Sequence, residues 1–197
     1  MREITMRSKP TIAIAFVLAA LTVQATLARV DVKVDFDKTF NFKTVKTWNW
    51  NPAGAGEVKM ARTQTDDPDA MKKHAEPPII ETVTAEMARL KLEQASSNPD
   101  VFVNYYLLLT TNQTTQSIGQ FLPATMSWGL PLIPQATQSL KVFNQGSLVI
   151  DLTAKGNVVW RGVAQAEIKI GSDLKSREAK LREGVRDLLK RYPPKQP

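Results

Sequence analysis

The chain has 197 residues, a formal net charge of +7 and no cysteine. The length suits one domain, and 43% hydrophobic with 23% charged residues is ordinary for a globular protein. Because cysteine is missing, disulfides, a thiol nucleophile and thiolate metal sites are excluded. The single histidine, His74, excludes a multi-histidine metal site.

Residues 1–28 have the pattern of a secretory signal peptide. Basic residues precede an apolar run at 11–23, and small residues follow it, with cleavage expected after Ala25 or Ala28. The alternative is an uncleaved membrane anchor, but the apolar run is shorter than the roughly 20 residues that span a bilayer. We therefore expect cleavage and a periplasmic protein, free or peripheral to a membrane.

The first part of the remaining chain predicts two strands and a loop. Residues 29–36 alternate between charged and apolar side chains, which is typical of a half-buried strand. Residues 45–50 predict a second strand. Residues 51–78 contain four prolines and two glycines with few large apolar groups, which predicts a long loop.

A helix is predicted to start near Pro78, because proline fits the first helical turn. Five apolar residues lie on one stripe at helical spacing: Ile79, Ile80, Val83, Met87 and Leu90. Residues 101–111 are apolar on both faces, which favours a central strand.

Residues 147–152 and 158–170 flank a short turn and predict a β-hairpin. A final helix is predicted over 173–191, with Ser172 or Asp173 as its cap. The order of elements predicts a single α+β domain at 29–197. Hairpin connections favour a mainly antiparallel sheet, with the two helices packed on one face in two layers.

Two groups of polar residues suggest chemistry. Asp66, Asp67 and Asp69 near His74 could bind a divalent cation, but their spacing does not fit an EF-hand and a solvated acidic loop is favoured. Paired carboxylates for hydrolysis could come from three other aspartates, although no nucleophile motif accompanies them. These three aspartates are Asp35, Asp37 and Asp151. We therefore predict no metal, no other cofactor and no enzymatic activity.

The segment at 118–133 is apolar and broken by prolines. If it is exposed, Phe121, Met126, Trp128 and Leu130 form an interaction patch. If it is not, the segment closes one end of the core. The sequence leaves both interpretations open.

The last predicted helix is rich in lysine and arginine, and a basic amphipathic helix can lie on anionic lipid. Four acidic residues interrupt the basic residues of this helix: Asp173, Glu178, Glu183 and Asp187. A helix with a solvated outer face is therefore favoured over a lipid-binding helix. No run of basic residues interleaved with aromatics occurs, so nucleic-acid binding is not expected.

Four motifs, in order along the chain, resemble the domain of unknown function 4136 family. They are VDFD to TWNW at 34–50, NPDVFVNY at 98–105, GSLVIDL with VWRG at 146–162, and LLKRYPP at 188–194. The resemblance implies a bacterial envelope protein without an established activity. Many members are predicted lipoproteins, but this chain has no cysteine at the signal junction, so a lipid anchor does not carry over.

Together these observations predict an exported envelope protein that acts as a non-enzymatic binding or structural module. A periplasmic domain that binds a small ligand or lipid is the alternative, and a hydrolase is a third hypothesis. The expected partner is an envelope protein or a small apolar ligand. No transmembrane segment is expected after cleavage.

Overall fold

The structure is a computed structural model that describes residues 30–60, 67–110, 145–167 and 173–195. It is an α+β fold with seven strands and two helices in these ranges. The strands are β1 (Asp31–Phe36), β2 (Thr47–Trp50), β3 (Gly56–Met60), β4 (Glu93–Gln94), β5 (Val101–Thr110), β6 (Gln145–Ala154) and β7 (Asn157–Glu167). The helices are α1 (Pro68–Arg89) and α2 (Leu174–Leu189), and a short 3-10 helix lies at Phe42–Thr44.

The strands form one sheet in the order β1-β7-β6-β5-β2-β4, and β3 pairs with β5 beyond the end of β2. The neighbours β1, β7, β6 and β5 are antiparallel, whereas β2 and β3 run parallel to β5. The sheet is therefore mixed rather than mainly antiparallel. The reason is the connection from β3 through α1 to β5, since a helical crossover returns the chain in the same direction.

The long loop predicted at 51–78 is wrong. This region holds β3, and α1 begins ten residues earlier than predicted, at Pro68 rather than Pro78. Asp67 caps the helix, because its carboxylate accepts hydrogen bonds from the backbone N–H groups of Asp69 and Ala70. A proline does lie at the helix start, as predicted, but it is Pro68 and not Pro78.

Pro77 and Pro78 lie inside α1, where each removes one helical N–H donor. Two side-chain hydrogen bonds lie beside the prolines. Within the helix, Thr82 Oγ1 donates to the carbonyl of Pro78 at 2.6 Å, and from β5 the Tyr105 hydroxyl donates to Glu76 Oε1 at 2.9 Å. The helix is thus held against the sheet directly at its weakest point.

Both helices pack on the same face of the sheet and against each other. Burial of large apolar side chains between these two layers is the main stabilising contribution. Three members of the predicted stripe on α1, Ile79, Val83 and Met87, are fully buried, whereas Ile80 and Leu90 are half-buried. The largest of the other buried side chains are Trp48, Trp160, Tyr105, Ile150, Leu152, Leu188 and Leu189.

Gly162 lies on β7 where the strand passes under α2. A Cβ atom at this position would lie 2.6 Å from the Trp160 ring and 2.7 Å from Leu188. Both of these side chains are fully buried, so neither can move away cheaply. The glycine is therefore required by the close approach of strand and helix.

We expect Gly162→Ala to lower the free energy of unfolding by about 1–3 kcal/mol, because the added methyl overpacks the core. Gly184→Ala on α2 is the matched control. Its Cβ would lie 3.5 Å from Ala164, an ordinary contact, and alanine favours a helix. Urea denaturation followed by circular dichroism measures both, and an equal effect of the two variants would contradict the packing argument.

Candidate functional site

A row of polar residues crosses the sheet on the face opposite the helices. Asp35 on β1 is the cross-strand partner of Arg161 on β7, which is the partner of Asp151 on β6. Asp151 in turn lies opposite Asn104 on β5. The amide of Asn51 extends the row, since its Nδ2 donates to Asn104 Oδ1 at 2.8 Å. We call these five residues the polar row.

The centre of the polar row is a buried ion pair. Arg161 Nε donates to Asp151 Oδ1 at 2.7 Å, and Arg161 Nη2 donates to Oδ2 at 2.6 Å. Asp151 is fully buried, and Arg161 is 4% exposed. Both carboxylate oxygens therefore face the same guanidinium in a bidentate arrangement, which is the strongest geometry for such a pair.

Burial changes the proton affinity of the groups around this pair. Burial raises the pKa of Asp151, while the hydrogen bonds and positive charge of Arg161 act in the opposite direction. Burial also raises the pKa of Tyr106 to about 12, and the negative charge of Asp151 adds to that rise. The pKa of Asp35 is raised by burial, against a hydrogen bond from the Phe36 N–H.

Two of the three aspartates considered for hydrolysis are thus brought into one row, and Arg161 separates them. Asp151 is engaged by that arginine, whereas Asp35 accepts its hydrogen bond from the next residue of its own strand. Asp37 lies outside the row, where its carboxylate accepts hydrogen bonds from the backbone N–H and hydroxyl of Thr39. The arrangement has the chemistry of a closed structural ion pair rather than of two free carboxylates.

The residues considered for a metal site are placed differently. Asp67 is the cap of α1, Asp69 lies in the first turn, and His74 is exposed further along the helix. Asp66 lies outside the described residues. Within the described ranges, no group of three or more histidine, aspartate and glutamate side chains converges on a point where a metal ion could bind.

A second polar contact joins β2 to the start of β5. Asp100 Oδ2 accepts hydrogen bonds from the backbone N–H groups of Lys46 and Thr47 and from Thr47 Oγ1, at 2.8–2.9 Å. The Asp100 N–H donates back to Thr47 Oγ1 at 3.0 Å. These hydrogen bonds to the ionised form hold the pKa of Asp100 below its usual value.

An aromatic cluster lies on the other side of the sheet, between β7 and the end of α2. The Tyr192 ring contacts Phe42 and Trp160 edge to face, with ring centroids 5.9 Å apart in both pairs. Phe42 contacts Phe36 and Phe40 in the same manner. The cluster thus joins the segment after β1 to the chain end after α2.

These contacts explain the four sequence motifs. Thr47 and Asp100, from the first and second motifs, form the polar contact between β2 and β5. Asp151 and Arg161, from the two halves of the third, form the buried ion pair. Tyr192 in the last motif packs on the tryptophan of the third. The motifs therefore hold the fold together.

The four residues of the predicted interaction patch lie outside the described residues, as does the predicted signal peptide. They are Phe121, Met126, Trp128 and Leu130.

The prediction for the last helix can be compared directly with α2. Asp173 caps it by accepting the Ser176 N–H at 2.8 Å, as predicted. Within the described ranges, neither helix has the length and apolar character needed to cross a bilayer.

A family model described as "Domain of unknown function (DUF4136)" matches residues 32–194. The chain belongs to the DUF4136 family. No curated protein sequence matches it. The resemblance indicated by the four motifs is therefore confirmed over the whole region that they span.

The solved structures to which this chain is similar include three bacterial proteins. A PDZ domain protein from Parabacteroides distasonis has a TM-score of 0.50 at 14% identity, covering 86% of this chain. The chain spans about a third of that protein, 36% of its length, so the likeness is one of fold. A DUF4136 family protein from Bacteroides thetaiotaomicron has a TM-score of 0.47 at 16% identity, covering 83% of this chain and 96% of that one. PelC from Paraburkholderia phytofirmans, a dodecamer, has a TM-score of 0.36 at 15% identity, with 82% and 97% coverage.

The ion pair of the polar row can be tested with a double-mutant cycle. Asp151→Leu and Arg161→Leu each leave one charge buried without its partner, so each should lower the free energy of unfolding by about 3–5 kcal/mol. The double variant should lose clearly less than the sum of the two, as measured by urea denaturation.

The exposed pair of Glu57 and Lys59, whose charged atoms are 2.9 Å apart, is the control for this cycle. Its coupling free energy should be below about 1 kcal/mol, because water screens an exposed pair. A coupling of this small size between Asp151 and Arg161 would contradict the structural role of the buried pair.

Proposed function

We propose that this DUF4136 protein is exported to the bacterial cell envelope and acts there as a non-enzymatic binding or structural module. The observation that carries the non-enzymatic part is the closed ion pair in the polar row. A general acid or base needs a carboxylate that is within reach of a substrate proton. Asp151 is fully buried, and both of its oxygens accept hydrogen bonds from Arg161.

Three other carboxylates also have structural roles. Asp67 caps α1, Asp100 fastens β2 to β5, and Asp37 closes a local turn. Each of these side chains accepts hydrogen bonds from backbone N–H groups nearby. Such contacts are typical of residues that fix backbone geometry.

The charge and hydropathy pattern of residues 1–28 remains the argument for a signal peptide.

Export is tested by the mass of the protein in the periplasmic fraction. We expect a mature species that begins at Thr26 or Arg29, as measured by intact-mass analysis. Replacing both small residues at the −1 positions, in the variant Ala25→Phe/Ala28→Phe, should leave the precursor uncleaved in the membrane fraction. The control is Ala20→Phe, which keeps both cleavage sites. A periplasmic species that still begins at Met1 would refute cleavage.

Binding is tested by cross-linking in cells, followed by affinity capture and mass spectrometry. We expect the wild-type protein to capture a specific envelope protein. If the patch at 118–133 is an interface, Trp128→Ala should reduce the recovery of that partner at least fivefold with little change in thermal stability. Lys155→Ala, in the exposed turn between β6 and β7, is the control. A large fall in melting temperature for Trp128→Ala would instead assign the segment to the core. Recovery of no specific partner by the wild-type protein would argue against a protein-binding role.

A further inference from the structure

β1 is an edge strand of the sheet, and among the described residues its one neighbour is β7. The other side of β1 is therefore a row of backbone groups that is open to pairing with a further strand. β4, at the opposite end of the strand order, has only two residues, whereas β1 has six. The β1 edge is thus long enough to hold a partner strand.

The hydrogen bonds to β7 show which backbone groups of β1 are free. The Asp37 N–H donates to the carbonyl of Val159 at 2.8 Å, and the register continues without a break from this pair along β1. In an antiparallel ladder every second residue bonds to the same neighbour. The N–H and C=O groups of Val32 and Val34 therefore point away from β7, toward the open edge.

The open edge is closed at one end by a side chain. Asp35 Oδ1 accepts a hydrogen bond from the Phe36 N–H at 2.8 Å, and this N–H is the next one that points away from β7. A partner strand therefore finds free backbone donors at Val32 and Val34 but not at Phe36.

The two faces of β1 differ in chemistry. Asp31 and Lys33 lie on the face of the polar row, and their side chains are 66% and 60% exposed. Val30, Val32 and Val34 lie on the helix side, where Val32 and Val34 are only half-buried. A partner strand that fits must bring apolar side chains on one face and charges of opposite sign on the other.

A second copy of β1 in antiparallel orientation meets this requirement in one alignment. With Val32 opposite Val32 of the second copy, each Asp31 lies opposite a Lys33. Centring the pair on Asp31 or on Lys33 places like charges opposite each other, and centring it on Val34 places Asp31 opposite Asp37. An axis that passes between two residues would oppose valines to charged residues, because opposite residues share a face.

α2 leaves this edge accessible. An open groove of about 480 Å³ lies between the start of β1 and the second half of α2 with the two residues after it. Two acidic and two basic residues line the helical side of the groove, so its charges cancel and do not repel a second copy. They are Glu183, Asp187, Lys190 and Arg191.

We propose that two copies of this chain pair through β1 about a two-fold axis at Val32, which joins their two sheets into one. The free N–H and C=O groups of Val32 then bond to those of Val32 in the second copy, and Val34 bonds to Val30. Valines meet on the helix side, and Asp31 meets Lys33 on the other face. Because the axis is two-fold, the assembly closes at two copies. The proposal goes beyond the proposed function and does not depend on it.

The position of the axis can be tested with cysteine variants, since the chain has no cysteine of its own. Opposite residues in a hydrogen-bonded pair have Cα atoms about 5.5 Å apart, which is within disulfide range. Val32→Cys should therefore form a covalent dimer under mild oxidation, as seen on non-reducing gels. Val34→Cys is the matched control, because its counterpart in the second copy lies four residues along the strand, about 13 Å away. Equal cross-linking of the two variants would refute the axis.

The charges can be tested by analytical ultracentrifugation of protein purified after expression of the full-length chain. We expect the wild-type protein to be a dimer. Asp31→Lys and Lys33→Asp each place like charges opposite one another, so each should weaken dimerisation at least tenfold. A mixture of the two variants restores opposite charges at every such position, so it should form a heterodimer about as tightly as the wild type.

Lys59→Asp on β3 is the control for net charge. It makes the same change at another exposed strand position and should alter dimerisation less than twofold. Circular dichroism should show unchanged secondary structure in all of these variants, because their side chains are exposed. A monomeric wild-type protein, or a mixture that associates no more tightly than the separate variants, would overturn the proposal.

Discussion

The ion pair between Asp151 and Arg161 depends on strand register, and the register of the sheet centre depends on it in return. A slip of one residue between β6 and β7 would move one of the two charges to the opposite face. That face is packed with the apolar side chains under the helices, where an unpaired charge is strongly unfavourable. We interpret the pair as a device that specifies pairing rather than as a large net source of stability, since its desolvation offsets much of its attraction. The same row includes Asn104 on β5 and Asp35 on β1, so four strands share one alignment.

An irregularity in the hairpin produces this alignment. Counting back from the turn at Lys155 and Gly156 places Asp151 opposite Trp160 if the hairpin is regular. A bulge between Leu152 and Thr153 shifts the register by one residue and places Asp151 opposite Arg161. Asp151, Arg161 and the hairpin can be identified in the sequence, but no feature of the pattern of 147–170 predicts the bulge. The sequence therefore does not predict that these two residues form an ion pair.

The regular parts of the fold were predictable because their patterns are simple. Alternation identified β1, apolar runs identified β5, and the spacing of leucines with an aspartate cap identified α2. The prediction for residues 51–78 is wrong because Pro77 and Pro78 resemble a helix start, whereas they lie inside α1, next to the contact between Glu76 and the Tyr105 hydroxyl of β5. Because this region is predicted as a loop, β3 and the helical crossover that makes part of the sheet parallel are not predicted. Helix propensity describes an isolated segment, and in α1 the tertiary packing overrides the unfavourable propensity of the two prolines.

The same limit applies to the surface of α2. Its sequence mixes acidic and basic residues, and only the fold shows that Glu178, Glu183 and Asp187 are half-buried. Charge along a chain and charge on a surface are different quantities, because a helix distributes consecutive residues around its axis. The family motifs show the converse, that residues distant in the sequence lie together in the fold. Residues far apart in sequence, such as Thr47 and Asp100, form direct contacts that explain why those short patterns occur together.

The pairing of β1 with β7 has a consequence for how the domain forms. Asp31 lies opposite Gln165, so the first strand of the described chain completes its hydrogen bonds with the last. Loop closure over such a separation is entropically unfavourable and slow, and it cannot begin until β7 exists. A chain emerging from a ribosome therefore exposes β1 as an unpaired strand until almost the entire domain has been made. The sheet is therefore completed late in folding, when β1 pairs with β7. Until then the unpaired β1 must be kept from pairing with strands of other molecules.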